Sequence, residues 1–422
     1  MESIAIIGTG IAGMACGHYL HEKYDIKLFE KNNYVGGHTN TLTIDEDGED
    51  IRIDSGFIVY NEATYPNLTR LFKELNVETK PTSMSFSVQH VPSGLEFSGT
   101  GINGLFSQRK NIFNLKFIRL LTEINRFNNE SIEILEDPKY EEYTLLDYAS
   151  EKKFSEDFLI KYLIPMSSAV WSTQPELMLK FPAVTLVRFF KNHGFMGLNT
   201  QHQWRTVVNG SQAYREKLIK PFKNDIVINS QIEKVISEEN KVRIITMSNE
   251  VLEFGKVIIA SHADQALAML YNPTEMQIKL LKNFKYQRNT ATLHRDSSVM
   301  PKAKRAWSSW NYRLDEINGL LKPSTIYYMN SLQQVSDKTD YFISIDDPGL
   351  VDKNKIIKII EYEHPIFSIN AIKSQKDLSE LNNNGRTYFC GSYFNYGFHE
   401  DALKSAFNLC KKLLKQKERI LV

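Results

Sequence analysis

The chain has 422 residues, with 51 Lys+Arg against 50 Asp+Glu and a formal charge of +1. Its 42% hydrophobic and 24% charged residues exclude a disordered or collagen-like chain, and its length is enough for two or three domains. Near-neutrality excludes a global attraction to nucleic acid, and three cysteines without a CxxC pair make no disulfide framework, which fits a reducing, cytoplasmic setting.

The apolar run 3–16 is too short to cross a membrane, and Glu2 stands where a signal peptide would carry a base. Residues 4–7 predict a buried parallel strand, 8–13 a glycine turn, 12–22 a helix and 25–30 a second strand, together a βαβ unit. A hairpin is expected from 41–44 and 49–54 across Asp47-Gly48, then a helix over 66–75. From about 81 to 205 helices are interrupted by Gly and Pro, including a mixed stretch with 162–171 and 181–190. Segment 112–127 has apolar residues around most of its circumference and is expected to be buried. Its basic residues Arg109, Lys110, Lys116, Arg119 and Arg126 leave contact with a membrane surface open. The α/β pattern returns between 207 and 260, with a helix after Gly210 and strands at 226–229, 242–246 and 257–260. It closes with a strand at 387–390 and a helix at 402–414. The expectation is an α/β fold: a Rossmann-type FAD/NAD(P)-binding domain from 1–80, 205–268 and 384–422. An α+β substrate domain, from 81–204 and 269–383, is inserted into it.

The chemistry is concentrated in the glycine turn. Gly8, Gly10 and Gly13 fit GxGxxG between a strand and a helix; Ile11 and Ala12 fall between them. Gly8 permits the tight turn, Gly10 lets the backbone approach a pyrophosphate, and Gly13 allows close helix–strand packing. Glu30 ends the next strand, where a carboxylate accepts ribose hydroxyls and repels a 2′-phosphate. Gly36-Gly37-His38-Thr39 and Asp54-Ser55-Gly56 then follow, a pattern of flavoproteins rather than NAD dehydrogenases. In flavoproteins of that pattern the backbone at the position of Ile232 faces adenine. The segment from Gly391 to His399 is expected to bring the N-terminus of the last helix to the flavin. The cofactor expected is FAD.

These motifs are joined by PMSSAVWS at 165–172, FPA at 181–183, NHG at 192–194, QWRT at 203–206, LHRD at 293–296, WSSWNY at 307–312, CGSY at 390–393 and HED at 399–401. Together they resemble the FAD-dependent amine-oxidase superfamily, which includes phytoene desaturases, protoporphyrinogen oxidase and a fatty-acid double-bond isomerase. The nearer resemblance is to a bacterial group of NAD/FAD-binding proteins often encoded beside cyclopropane-fatty-acid-synthase-like methyltransferases. It implies an amine-oxidase-like two-domain architecture and a FAD site that adds Lys31, Phe57, Ala260, Ser392, Gly397 and Phe398 to the residues above. Two departures stand out. His38 replaces the Arg or Lys common after the glycine pair, and Ser392 replaces an acidic residue after Gly391.

His399, His193 and His294 are the candidate catalytic residues, with a packing role open for each. Amine oxidases place a Lys near flavin N5, and the matching strand 289–294 contains none. No HExxH, CxxC or GxSxG occurs, and no metal site is expected. Aromatic groups at Trp307/Trp310/Tyr312, Phe189/Phe190/Phe195 and 389–398 suggest an apolar tunnel. The expected function is dehydrogenation of a hydrophobic substrate, a methylated or unsaturated fatty acyl chain, by hydride transfer to flavin N5. A redox-neutral fatty-acid isomerase, an amine oxidase using O2, and a non-catalytic partner of a lipid methyltransferase remain alternatives. Expected partners are a hydrophobic or lipid acyl substrate, that methyltransferase, and the inner face of the membrane as a peripheral site.

Overall fold

Ser3–Ile7 is flanked by strands on both sides, which is why its residues form an uninterrupted apolar run rather than an alternating one. In the computed structural model, which describes residues 1–197 and 200–420, it is the middle strand of a five-stranded parallel sheet. The order is Ile226–Val227, Asp25–Phe29, Ser3–Ile7, Lys256–Ile259 and Thr387–Phe389, with Ile6 opposite both Leu28 and Ile258. Helices Ile11–Leu20 and His399–Ile420 pack on one another. Where the first helix meets the last strand, the buried Cys16 and Cys390 sulfurs are 3.8 Å apart. A separate antiparallel sheet, Ile232–Ser237, Val242–Thr246 and Val251–Phe254, shares a core with Phe29, Val257 and Ile259.

The second large element is a seven-stranded sheet in the order Ile356–Ile366, Lys285–His294, Phe342–Ile345, Leu320–Tyr328, Trp310–Ile317, Phe86–His90 and Leu95–Ser98. Every pairing is antiparallel except that of Trp310–Ile317 with Phe86–His90. The helices Leu115–Glu130, Ile164–Trp171 and Ala183–Asn192 supply Phe117, Phe127, Trp171, Phe189 and Phe190 to one core. Helix Ile164–Trp171 stops at Ser172, whose φ of +49° turns the chain away and leaves its carbonyl facing the sheet. This mixed α/β architecture is the one expected.

Two local expectations are corrected. The strand predicted over 226–229 ends at Val227, because Asn229 adopts φ +51° and bonds its N–H to Asn32 O. The continuous helix predicted over 112–127 is a 3-10 turn, Arg109–Phe113, followed by helix Leu115–Glu130 capped by Asn114, whose side chain accepts from the N–H groups of Lys116 and Phe117. Of its apolar residues, Phe117, Leu120 and Phe127 are buried, whereas Ile112, Phe113 and Leu115 are exposed. Among the described residues, no helix is long and apolar enough to cross a membrane.

Candidate active site

The turn after Ser3–Ile7 is shaped by what its glycines exclude. A Cβ on Gly8 would lie 2.7 Å from Ala260 O, and one on Gly13 would lie 1.9 Å from Gly8 O. A Cβ on Gly10 would meet nothing within 4 Å, so the space above this residue is open. Helix Ile11–Leu20 begins there with no side-chain cap and no acid in its first turn, leaving its N–H groups and positive dipole end toward that space. Glu30 is fixed beside it: one oxygen accepts from Thr9 N (3.1 Å) and Thr9 Oγ1 (2.5 Å), the other from Asn32 N (2.9 Å). Gly37 and Gly56 complete the wall. A Cβ on Gly37 would be 3.3 Å from Gly10 Cα, and one on Gly56 would be 2.3 Å from His38 O.

The opposite end is built by the last segment. Trp171 Nε1 donates to Tyr396 O (3.2 Å), and Trp171, Phe189 and Phe398 pack ring against ring, with Phe189 and Phe398 stacked at 4.9 Å. His399 stacks on Phe57 at 4.0 Å; its Nε2 is 2.6 Å from Tyr214 OH and 3.3 Å from Thr39 Oγ1. Burial pushes its pKa down to about 3, so the imidazole is neutral. In the same helical turn, burial raises Asp401 to about 7 while its carboxylate accepts from Phe398 N.

Between these ends run the strands Lys285–His294 and Ile356–Ile366, in register with Asn289 opposite Tyr362 and Gln287 opposite His364. Tyr362 stacks on His38 at 4.7 Å, and His364 lies 5.2 Å from the same ring. His38 Nε2 is a buried nitrogen without a hydrogen-bond partner among the described residues, and burial holds its pKa well below the ordinary value. The Asn289 amide nitrogen donates to Ser172 O (2.9 Å) and Asp346 Oδ2 (2.6 Å), which leaves its oxygen to accept from His364 Nδ1 (2.8 Å). Two pure acceptors thus fix the amide orientation, and the amide fixes the imidazole with its proton on Nδ1. No described residue hydrogen-bonds His364 Nε2, and burial lowers its pKa to about 4.

All these surfaces line one cavity of about 920 Å3. The predicted residues Gly8, Gly10, Ile11, Ala12, Glu30, Lys31, Gly37, His38, Gly56, Phe57, Ile232, Ala260, Gly391, Ser392, Gly397, Phe398 and His399 line it. Three stand behind its wall. Gly13 packs on Gly8, the Thr39 hydroxyl is 2.5 Å from Tyr214 OH, and Ser55 Oγ is 2.8 Å from Tyr362 OH.

Of the catalytic candidates only His399 reaches the cavity. His193 donates from Nδ1 to Phe189 O and stacks on Phe189 at 3.8 Å, behind a residue that lines the wall. His294 lies inside the seven-stranded sheet, with Nδ1 accepting from Asp296 N and Nε2 2.8 Å from Ser344 Oγ. Trp310, Phe189, Phe195, Tyr393 and Phe398 of the aromatic groups line the cavity, whereas Trp307, Tyr312, Phe190 and Phe389 are packed elsewhere. Sequence reasoning missed Tyr362, His364, His262 and Arg288. Tyr362, His364 and Arg288 lie on two strands whose pairing only the fold reveals, and His262 precedes helix Ala263–Met269, where no motif marks it. Among the described residues no cluster of His, Cys, Asp or Glu could hold a metal ion.

A glycine turn opening on an uncapped helix, a fixed carboxylate at the next strand end and an aromatic chamber beyond define a dinucleotide-dependent flavoenzyme. The chain belongs to the flavin containing amine oxidoreductase family, whose model matches residues 11–294, and its cofactor is FAD. The residues fit that group: the open space at Gly10 faces unpaired N–H groups, and the buried His38 Nε2 has no hydrogen-bond partner among the described residues. The fold is similar to cyclohexylamine oxidase from Brevibacterium oxydans, at 14% identity and TM-score 0.68, covering 98% of this chain and 99% of that one. It is also similar to a fatty acid isomerase from P. acnes, at 14% identity and TM-score 0.67, over 97% and 98%. A 15-cis-phytoene desaturase of Synechococcus elongatus is 36% identical over 78 residues, 18% of this chain and 16% of the desaturase.

Proposed function

We propose that this oxidoreductase dehydrogenates a hydrophobic substrate, an unsaturated or methylated acyl chain, in the aromatic end of the cavity. One observation carries the reading: Trp171, Phe189, Phe195, Trp310 and Phe398 face the chamber with Val170 and Met84, and the one lysine among the described lining residues, Lys31, adjoins the glycine turn end at Glu30. Such a wall excludes water and offers an apolar chain nothing but dispersion contacts. When bound, FAD supplies the acceptor for the hydride and electron pair of one substrate C–H bond, and an external oxidant such as dioxygen removes them. The proton of the neighbouring C–H goes to Nε2 of His364, a cavity-lining residue whose Nδ1 is held by Asn289, as the C–C double bond forms. His399, pinned by Tyr214 and stacked on Phe57, holds the wall and stays neutral. The relatives' names, a fatty acid isomerase and a desaturase of a polyene, are compatible with such a substrate.

The test is single-turnover bleaching of the bound flavin under anaerobic conditions, with oleoyl and cyclopropane-acyl lipids against cyclohexylamine and putrescine. Bleaching by a lipid supports the reading. Bleaching by amines alone overturns it, and many turnovers without an oxidant would make the enzyme an isomerase.

A further inference from the structure

We propose that residues 101–119 form a docking surface for a bilayer containing anionic lipid. The segment is built inside out. Asn111 is buried with its side chain donating to Gln108 Oε1 (3.0 Å), while its neighbour Phe113 is 89% exposed. Leu115 is 84% and Ile102 76% exposed, with Ile112 and Ile118 partly so. Loose structure does not explain this. Arg109 donates to Asn103 Oδ1 (2.9 Å) and Phe106 O (3.1 Å), tying helix Gly101–Leu105 to turn Arg109–Phe113. Gln108 donates to Gly94 O (2.8 Å), and Phe117 anchors the following helix between Phe97 and Phe106. Apolar side chains are therefore held outward by a fixed polar framework.

The charge around them identifies the occupant. Between Phe97 and Thr122 there is no Asp or Glu, while Arg109, Lys110, Lys116 and Arg119 fall within the stretch, in a chain whose net charge is only +1. Protruding Phe, Leu and Ile ringed by Lys and Arg match the boundary between acyl chains and anionic headgroups. A second copy of the same surface would bring two basic rims together. With no helix of spanning length among the described residues, the contact is interfacial. The inference is independent of the substrate assigned above.

The holoenzyme is sedimented with phosphatidylcholine vesicles with and without phosphatidylglycerol. Binding is expected to the anionic vesicles, weakened by salt. The Phe113→Ser/Leu115→Ser double variant should bind at least about tenfold more weakly, as should Lys110→Glu/Lys116→Glu, both with unchanged flavin absorbance and melting temperature. Three results overturn the proposal: no vesicle binding, equal binding to neutral vesicles with the charge-reversal variant unaffected, or concentration-dependent self-association abolished by the double serine variant.

Discussion

Asn289 Oδ1 and His364 Nδ1, 75 residues apart in sequence, lie 2.8 Å apart, and the carboxamide decides which imidazole nitrogen is the base. Ser172 O and Asp346 Oδ2 hold the amide nitrogen, so a rotation that would reverse the tautomer costs two hydrogen bonds.

Replacing the base tests this relationship. His364→Gln should lower kcat on the order of 10²-fold or more with KM changed little, because only proton transfer is lost. Burial keeps the His364 pKa at about 4 beside His38, His262, Tyr362 and Glu363, so the wild-type rate should have no acidic limb from this group near neutral pH. Stopped-flow reduction of the bound flavin reads both effects, and an unaltered kcat in the variant would remove His364 from the chemistry.

The two glycines of the turn should fail differently. Gly10 has φ −60° and open space where a side chain would go, so Gly10→Val should fold normally and lose FAD affinity by about tenfold or more, roughly 1.4 kcal/mol. Gly13→Ala drives a Cβ to 1.9 Å from Gly8 O and should destabilise the protein itself by about 1–3 kcal/mol. Flavin titration alongside apoprotein melting separates them; equal melting losses in both variants would contradict the assignment.

Asp401 makes stability depend on pH. Its folded pKa, raised by burial from 3.8 to about 7, means the folded state binds a proton the unfolded chain has released. Stability is then full below the unfolded value and falls as pH rises through the folded one, by up to roughly 4 kcal/mol. Asp401→Asn should flatten this decline between pH 4 and 7. Parallel urea titrations across that range check it, and identical slopes in both proteins would refute it.

Glu400 caps a helix it does not belong to. Its carboxylate accepts from Asn67 N (3.1 Å), Asn67 Nδ2 (2.6 Å) and Leu68 N (2.9 Å), at the start of helix Pro66–Glu74, which has no side-chain cap of its own. Glu400→Ala should cost about 1–2 kcal/mol by denaturant unfolding, and Glu400→Gln less, since an amide oxygen still accepts.

What the sequence made legible follows range of interaction. Gly8, Gly10, Gly13 and Glu30 lie within one βαβ unit, where a local motif fixes geometry. Tyr362 and His364 matter only because their strand pairs with Lys285–His294, a register set by the assembled sheet. His294, a catalytic candidate by residue type with a packing role open, takes that packing role: the strand's alternation turns it toward Ser344. Phe113 and Leu115 were expected inside because they are apolar. The turn centred on the buried Asn111 reverses the segment, and composition carries no sign of that.

The parallel sheet places Thr387–Phe389 beside Lys256–Ile259, and the cavity takes its last wall from Gly397, Phe398 and His399. Translation proceeds from the other end. The glycine turn is therefore made first; Gly37 and Ala260 come to stand beside it, and the last wall arrives only with Gly397, Phe398 and His399. The cavity is finished only when strands distant in sequence have come together in the parallel sheet. Completing the site is thus a long-range event in folding, and until it occurs the apolar strand Ser3–Ile7 lacks part of the sheet that buries it.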